Sequence, residues 1–320
     1  MHKISVIICA HNPRIDYLQR VLEAMKNQTL PLNQWELLLI DNLSKVPLQQ
    51  TVNLSWHPQC RIIIESNLGV SHARIRGIKE ATGDILVFVD DDTCLKTDFL
   101  ATVIEKFEEN DLLGVVGAGR VILELEIQPP AELLPFMYLL SERDDKRANY
   151  SNQVKYSSAL PWGAGMAIKK NIALDYAESY YKRSAGLSAI GRIGNLLMSC
   201  EDVDIPLYAC SLGHLSGAVP DLELTHLISI ERITTNHLIK LAAGNAFSHY
   251  ILGKLWGYTA TYPENFLLKK LRYLKKTSQL KGLSKQIFAA EFAAVEKARS
   301  VWEQTHAAVN SNNTANTPDV

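Results

Sequence analysis

Hydrophobic residues in the first third of the chain fall into four short runs, and each run ends at polar residues. The runs cover residues 4–10, 35–40, 61–65 and 85–89. Nearly unbroken apolar runs of this length are typical of strands that are covered on both faces, as in a parallel α/β sheet. Residues 15–25 have the apolar spacing of a helix, and a second helix is expected at 71–81. The pattern therefore predicts an α/β fold whose strand ends carry the polar side chains.

The fourth run ends in a row of carboxylates, Asp90, Asp91 and Asp92. Adjacent carboxylates repel one another unless a cation, strong hydrogen bonds or a raised pKa compensates. Open α/β sheets bind ligands at the carboxyl ends of their strands, and Mg²⁺ or Mn²⁺ bound by one or two carboxylates completes its coordination with water and phosphate oxygens. The triplet thus indicates a divalent-metal site, and a solvated acidic turn before a helix is an equally good explanation of these residues taken alone.

Polar residues also follow the other runs. Asp41 ends the second run, where it would either accept hydrogen bonds from a ribose or a base, or serve as a turn residue. The first turn, at His11 and Asn12, lacks the glycines of a standard dinucleotide or phosphate-binding loop. Arg74 on the helix 71–81 has the forked guanidinium that suits a diphosphate, unless it is an ordinary exposed helix charge.

Composition narrows the class of protein. The chain has 320 residues, 47% of them hydrophobic, and a net charge of −1. This is enough apolar material for a large core, and the balanced charge argues against nucleic acid as a partner. The five cysteines form no C-x-x-C pair, which favours a reducing compartment, and no apolar stretch is long enough for a signal peptide or a membrane span. The expectation is a cytoplasmic protein.

The middle of the chain carries two further candidate segments. Small residues at 163–165 precede a predicted strand and would let a ligand approach the backbone, and Trp162 would either stack on a sugar or pack as a buried aromatic. Glu201 and Asp202 open a predicted helix, where acidic residues are favoured for structural reasons alone. We expect a helix at 133–140, a mobile polar loop without chemistry at 141–152, and a flexible glycine-containing loop at 184–194.

Taken in order, these motifs resemble the family 2 glycosyltransferases over about residues 3–240. The matching segments are 10–12, Asp41, Asn67 with Gly69, 73–74, 90–92, 162–166, 201–204 and His226. The resemblance implies the GT-A fold, in which a Rossmann-like mixed central sheet is flanked by helices. It assigns residues 1–240 to the transferase domain.

The resemblance also implies roles for individual residues. Asp92 and His226 would hold Mn²⁺ or Mg²⁺. Asp202 would take a proton from the acceptor hydroxyl, assisted by Glu201. The residues that would bind the nucleotide sugar are Ala10, His11, Asn12, Asp41, Asn67, Arg74, Asp90, Asp91, Gly163, Ala164 and Arg232.

The function that these roles imply is an inverting, metal-dependent transfer of a hexose from a UDP-sugar, with UDP-glucose first, to a saccharide or lipid-linked acceptor in polysaccharide biosynthesis. The alternative is a non-catalytic subunit or sensor that binds a nucleotide sugar. A nucleotidyltransferase is disfavoured because the first turn has no glycine-rich loop.

The remainder of the chain is predicted to be a helical C-terminal extension at 241–305, followed by a disordered tail at 306–320 that is rich in Asn and Thr. Within the extension, residues 269–276 alternate basic and apolar side chains. This segment is either an interfacial helix at the inner face of a membrane or a packed helix with a solvated basic face.

Overall fold

The computed structural model describes residues 3–183, 201–258 and 265–314. The described residues form two compact units. The first unit consists of residues 3–126, 140–178 and 201–229, and the second of residues 127–139, 179–183, 230–258 and 265–314. All the predicted site residues except Arg232 belong to the first unit.

A mixed sheet of ten strands forms the first unit. Its order is β3-β2-β1-β4-β9-β6-β10-β5, with β7 paired to β6 and β8 paired to β10. The strands are β1 Ile4–Ala10, β2 Trp35–Asp41, β3 Cys60–Ile64, β4 Ile85–Asp90, β5 Thr93–Leu95, β6 Leu113–Leu125, β7 Arg143–Asp144, β8 Asn149–Ser151, β9 Met166–Lys169 and β10 Leu215–Ile228. Strands β1 to β4 are parallel, and β9 runs antiparallel between β4 and β6.

Five helices accompany this sheet: α1 Ile15–Lys26, α2 Val70–Glu80, α3 Phe99–Glu109, α4 Lys170–Arg183 and α5 Glu201–Ser211. On α1, Leu18, Val21 and Met25 are fully buried, as the sequence spacing predicts. Strand β2 is buried along its whole length, which explains why its residues 37–40 are all apolar, without alternation. The core therefore fixes the central strands and leaves their carboxyl ends to position polar residues.

The end of the sheet opposite to these polar residues holds one buried carboxylate. Glu36, near the start of β2, accepts hydrogen bonds from Ser5 Oγ at 2.6 Å, Thr82 N at 2.6 Å and Thr82 Oγ1 at 2.7 Å. Desolvation raises the pKa of Glu36, but these hydrogen bonds more than offset it, so the pKa lies below its usual value. Glu36 thus ties β1 and the turn before β4 to β2.

The prediction of a mobile loop at 141–152 was wrong. This segment contains β7 and β8, which pair with β6 and β10. Its polar sequence does not indicate the two strands. Each strand is short and forms only a few hydrogen bonds with the margin of a sheet whose other strands are distant in the sequence. The segment before it, Leu134–Leu140, is a 3-10 helix.

The part of the chain that follows the sheet is helical and lies in the second unit. Its helices are α6 Thr235–Leu255, α7 Phe266–Gln279 and α8 Gly282–Thr314. Phe247 and Ile251 of α6 pack with Val295 and Ala298 of α8 in a small core. Helix α8 continues past residue 305, where the sequence prediction ended it. No helix within residues 3–183, 201–258 and 265–314 combines the length and the hydrophobicity needed to cross a bilayer.

Candidate active site

The carboxyl ends of the central strands bring the predicted polar residues to one edge of the sheet. In the parallel pairing of β1 with β2, Ala10 lies opposite Asp41. In the pairing of β1 with β4, Cys9 lies opposite Asp90. Cys9 and Asp90, which are 81 positions apart in the chain, are therefore neighbours because three parallel strands end at the same level.

Asp41 shapes the loop that follows it. Its Oδ1 accepts a hydrogen bond from Ser44 N and its Oδ2 accepts one from Leu48 N, both at 2.9 Å. The side chain of Asn12 bonds to the same loop, because its Oδ1 accepts from Lys45 N at 2.8 Å. Asn12 also has a positive φ of 50°, a conformation that asparagine tolerates better than most residues. The loop 44–48 and the first turn thus form one hydrogen-bonded wall.

A buried amide, which the sequence analysis did not single out, connects this wall to the next strand. Asn42 Nδ2 donates to Glu65 O at 3.1 Å and to Asn67 O at 2.8 Å, and its Oδ1 accepts from Gly69 N at 2.7 Å. The carbonyl of Asn42 lies 2.6 Å from His11 Nδ1. Asn42 therefore fixes the turn that carries Asn67 into α2. Its position directly after a strand-end aspartate was the only signal in the sequence.

Arg74 points at the acidic triplet rather than at solvent. Its side chain is 7% exposed, and Nη2 lies 3.4 Å from Asp90 Oδ1, whose own side chain is 42% exposed. The guanidinium carbon is 5.9 Å from the centre of the Phe88 ring. A buried cation is thus held against a carboxylate that solvent or a ligand can reach.

The thiol of Cys9 lies in the same environment. Its pKa is raised to about 12, chiefly by desolvation; Arg74 opposes this increase, and the charges of Asp90 and Asp91 add to it. Cys9 is therefore a neutral thiol at physiological pH.

Asp92 and His226 form a pair across two strands. His226 Nε2 lies 3.4 Å from Asp92 Oδ2, and the other ring nitrogen, Nδ1, lies 3.1 Å from the carbonyl oxygen of Leu140. The backbone holds the pair in place, because Leu227 N donates to Asp92 O at 2.8 Å and His226 lies opposite Thr93 in the pairing of β10 with β5.

This pair fits a divalent metal ion with few protein ligands. A ligating histidine usually donates its second ring N–H to a carbonyl or carboxylate, and His226 has such a partner. Within the described residues, no group of three or more His, Cys, Asp or Glu side chains is arranged around one point. Mg²⁺ and Mn²⁺ commonly use one or two carboxylates together with phosphate oxygens and water, so two protein ligands suffice.

Gly163 lies against both Arg74 and Asp202. A Cβ atom on Gly163 would lie 2.5 Å from Arg74 Nη2 and 2.9 Å from Asp202 Cβ. Only glycine allows these two side chains to approach the backbone so closely. The residues before and after Gly163, Trp162 and Ala164, pack against the hydrophobic core of the sheet. This contact brings α2, the segment 162–165 and the start of α5 to the acidic edge.

Asp202 lies in the first turn of α5, and a hydrogen bond to Asp204 holds that turn in place. Tyr176 Oη donates to Asp204 Oδ2 at 3.0 Å, which ties α5 to α4. Burial raises the pKa of Tyr156, and the Asp202 carboxylate raises it further, so this hydroxyl lies near Asp202. The side chain of Glu201 and the loop 184–194 lie outside the described residues.

Arg143 is a second structural residue that sequence analysis missed. This buried side chain donates to Asp145 Oδ2 at 2.8 Å, to Leu160 O at 3.1 Å and to Ser158 O. Its guanidinium carbon lies 5.3 Å from the Trp162 ring. Arg143 therefore orders the segment that leads to Gly163. Nothing in the polar stretch around it distinguished it in the sequence.

The family described as Glycosyl transferase family 2 matches residues 5–175. The glucosyl-dolichyl phosphate glucuronosyltransferase of Haloferax volcanii is 23% identical over 180 residues, which are 54% of this chain and 54% of that protein. Glycosyltransferase AglE of the same organism is 33% identical over 92 residues, 28% of this chain and 30% of that protein. The matches thus span about half or less of these relatives.

A solved structure shows the same fold. The mannosyltransferase PcManGT from Pyrobaculum calidifontis, in complex with GDP-Man and Mn²⁺, superposes with a TM-score of 0.55 at 15% identity. The superposition covers 98% of this chain and 79% of that one. The mixed sheet described above is therefore a GT-A fold, and the chain belongs to glycosyl transferase family 2.

Proposed function

We propose that this enzyme transfers a hexose from a nucleoside diphosphate sugar, with UDP-glucose as the first candidate, to a saccharide or lipid-linked acceptor. The observation that carries the proposal is the contact at Gly163, where the buried cation Arg74 and the side chain of Asp202 both lie against one backbone position. A guanidinium such as that of Arg74 can bind a diphosphate, and a carboxylate such as that of Asp202 can accept the proton of an acceptor hydroxyl.

The donor site that we propose is the edge formed by the ends of β1, β2 and β4. The wall made by Asp41 and the first turn would receive the base, while Arg74 and the exposed part of Asp90 would meet the diphosphate and the ribose. The residues assigned to the donor are Ala10, His11, Asn12, Asp41, Asn67, Arg74, Asp90, Asp91, Gly163, Ala164 and Arg232. Arg232 lies in the second unit, in a short 3-10 helix.

Asp92 and His226 would hold Mn²⁺ or Mg²⁺. Such an ion, when bound, neutralises the negative charge that grows on the departing nucleoside diphosphate. The protein contributes the carboxylate oxygen and the imidazole nitrogen, and it orients the ring through the carbonyl of Leu140. The mannosyltransferase of the same fold, which was solved with GDP-Man and Mn²⁺, is consistent with this class of donor and ion.

Asp202 would act as the general base. A sugar hydroxyl is a poor nucleophile, and a carboxylate within hydrogen-bond reach can accept its proton as it attacks the anomeric carbon. Attack from the side opposite to the leaving group in a single displacement inverts that carbon. Burial raises the pKa of the nearby Tyr156 hydroxyl, and a hydrogen bond to the acceptor in such a desolvated site would be stronger than one in water. Glu201, at the start of the same helix, would assist in binding the acceptor.

The acceptor is proposed to be a saccharide or a lipid-linked sugar, within polysaccharide biosynthesis. The relative from Haloferax volcanii that is named for transfer to glucosyl-dolichyl phosphate supports a lipid-linked acceptor. Residues 1–240 are proposed to form the transferase domain and residues 241–305 its extension. The described cysteines, Cys9, Cys60, Cys94 and Cys210, are free thiols. This supports the location that we propose for the enzyme, which is the reducing cytoplasm at the inner face of a membrane.

The experiment is a thermal-shift screen of UDP- and GDP-sugars with and without Mn²⁺, followed by an assay of transfer and NMR of the product. We expect stabilisation by one nucleotide sugar that depends on the metal, and a product of inverted anomeric configuration. Retention at the anomeric carbon would contradict the role of Asp202. Binding of a nucleotide sugar without hydrolysis or transfer to any acceptor would instead favour the alternative of a non-catalytic sensor.

A further inference from the structure

Helix α7 presents a row of leucines to solvent. Leu267, Leu268, Leu271 and Leu274 are between 52% and 67% exposed. Three of them follow the spacing i, i+4 and i+7, so they form one stripe along the helix. Single exposed leucines are common on protein surfaces, but a continuous stripe marks a surface that binds a partner.

The opposite face of the same helix is packed within its own unit. The Tyr273 ring lies 5.9 Å from the Phe288 ring and 4.7 Å from the Phe292 ring, both on α8. Asn265 caps the start of the helix by accepting hydrogen bonds from Leu267 N and Leu268 N. The helix is therefore fixed to α8 by its inner face, and the leucine stripe faces outward as a consequence of that anchoring.

Charge identifies the kind of partner. Residues 265–290 contain seven Lys and Arg and no Asp or Glu, although the whole chain has a net charge of only −1. By helical geometry Lys270 borders the leucines on one side, Lys275 lies in line with Leu268 on the other, and Arg272 and Lys276 lie beyond Leu268; all four are exposed. An apolar stripe bordered by cations matches the boundary between acyl chains and anionic headgroups.

We infer that α7 docks on the surface of an anionic lipid bilayer, with the leucine stripe (Leu267, Leu268, Leu271 and Leu274) inserted among the acyl chains and the flanking lysines at the headgroups. The helix lies in the plane of the surface and does not span it. This inference is independent of the transfer chemistry, and it would hold the enzyme where a lipid-linked acceptor is found.

The test is sedimentation of the full chain with vesicles of phosphatidylcholine alone and with vesicles containing about a quarter phosphatidylglycerol. We expect binding to the anionic vesicles that weakens when the salt concentration rises from about 0.1 M to about 0.5 M. The variant L271Q/L274Q should bind at least about tenfold more weakly, because two inserted apolar side chains are lost.

Matched controls come from the first unit. The variant L112Q/L212Q removes two exposed leucines of another surface, and K26Q/K146Q removes two exposed lysines; both should bind vesicles like the wild type. The variant K270Q/K275Q should lose preference for anionic lipid. Donor binding should be unchanged in all four variants, which separates this test from that of the proposed function.

Two results would overturn the inference. One is equal or absent binding to neutral and anionic vesicles. The other is the absence of vesicle binding together with concentration-dependent self-association in sedimentation velocity that L271Q/L274Q abolishes. The leucine stripe would then be the contact between two copies of the chain.

Discussion

His226 Nε2 lies 3.4 Å from Asp92 Oδ2, although the two residues are 134 positions apart in the sequence. The pairing of β5 with β10 holds them there. An aspartate from the end of the acidic triplet and a histidine from a distant strand thus meet at the edge where the proposed donor binds.

Replacing Asp92 tests the proposed metal site. D92A should weaken Mn²⁺-dependent binding of the nucleotide sugar at least about tenfold, because one of two protein ligands is lost. H226A should have a similar effect. Isothermal titration calorimetry with and without Mn²⁺ measures both. The control is D175A, which removes an exposed aspartate on α4. Unchanged Mn²⁺-dependent affinity in D92A would reject the assignment.

Asp202 is tested by an isosteric change. D202N should bind the donor normally but turn over about a hundredfold to ten-thousandfold more slowly, because the amide cannot accept the proton of the acceptor hydroxyl. Calorimetry and the initial rate of transfer separate the two effects.

The matched control for Asp202 is D204N on the same helix. Asp204 accepts a hydrogen bond from Tyr176, so its loss should lower the melting temperature and leave the turnover of the folded enzyme near that of the wild type. Equal turnover of D202N and wild type would remove Asp202 from the mechanism.

The close approach at Gly163 predicts a steric effect. G163A would place a methyl group 2.5 Å from Arg74 Nη2 and 2.9 Å from Asp202 Cβ, so both side chains must shift. We expect kcat/KM to fall about tenfold to a hundredfold, since small displacements of reacting groups are costly. The transfer assay with saturating acceptor measures it.

A double-mutant cycle identifies the cause of that loss. In the background of R74A, the guanidinium is absent and the change G163A should cost less than it does in the wild type. An identical cost in both backgrounds would show that Arg74 is not the obstacle.

Glu36 predicts a pH dependence of stability. Its pKa is lowered in the folded state, so it stabilises the fold at pH values above its unfolded pKa of about 4.3, and this contribution disappears as the pH falls through the lower folded value. E36Q should therefore lower the free energy of unfolding by about 2 kcal/mol at pH 7, with a smaller difference in acid.

Urea denaturation at several pH values measures the effect of E36Q. The control is E23Q, since the Glu23 side chain is 60% exposed and contacts Lys26 and Asn27 on the surface of the protein. A difference between E36Q and wild type that stays constant from pH 7 to strong acid would contradict the role of the carboxylate charge.

The sequence predicted the central strands well because burial on both faces leaves an unmistakable signal. Strand β2 is apolar except for Glu36 until it ends at Asp41, and the structure has it within one residue of the expected bounds. The convergence of Asp41, Asp90 and Ala10 also followed from local pattern, because parallel strands place their carboxyl ends together.

What the sequence did not predict depends on contacts between distant residues. Asn42 and Arg143 are polar residues in polar surroundings, and their importance comes from backbone carbonyls 15 to 25 positions away. Strands β7 and β8 exist because β6 and β10 offer them free edges, and no property of residues 143–151 alone indicates this. Local patterns reveal buried elements, whereas the residues that brace a site become visible only once the chain is folded.

The ring of His226 is oriented by the carbonyl oxygen of Leu140, an atom of the main chain. A mutation can delete a carboxylate or a hydroxyl that steers a histidine, but every amino acid supplies a carbonyl oxygen. Random substitution at position 140 therefore preserves the orientation of the imidazole as long as the backbone keeps its path, and a mutational scan should find His226 itself intolerant and Leu140 tolerant of other apolar residues.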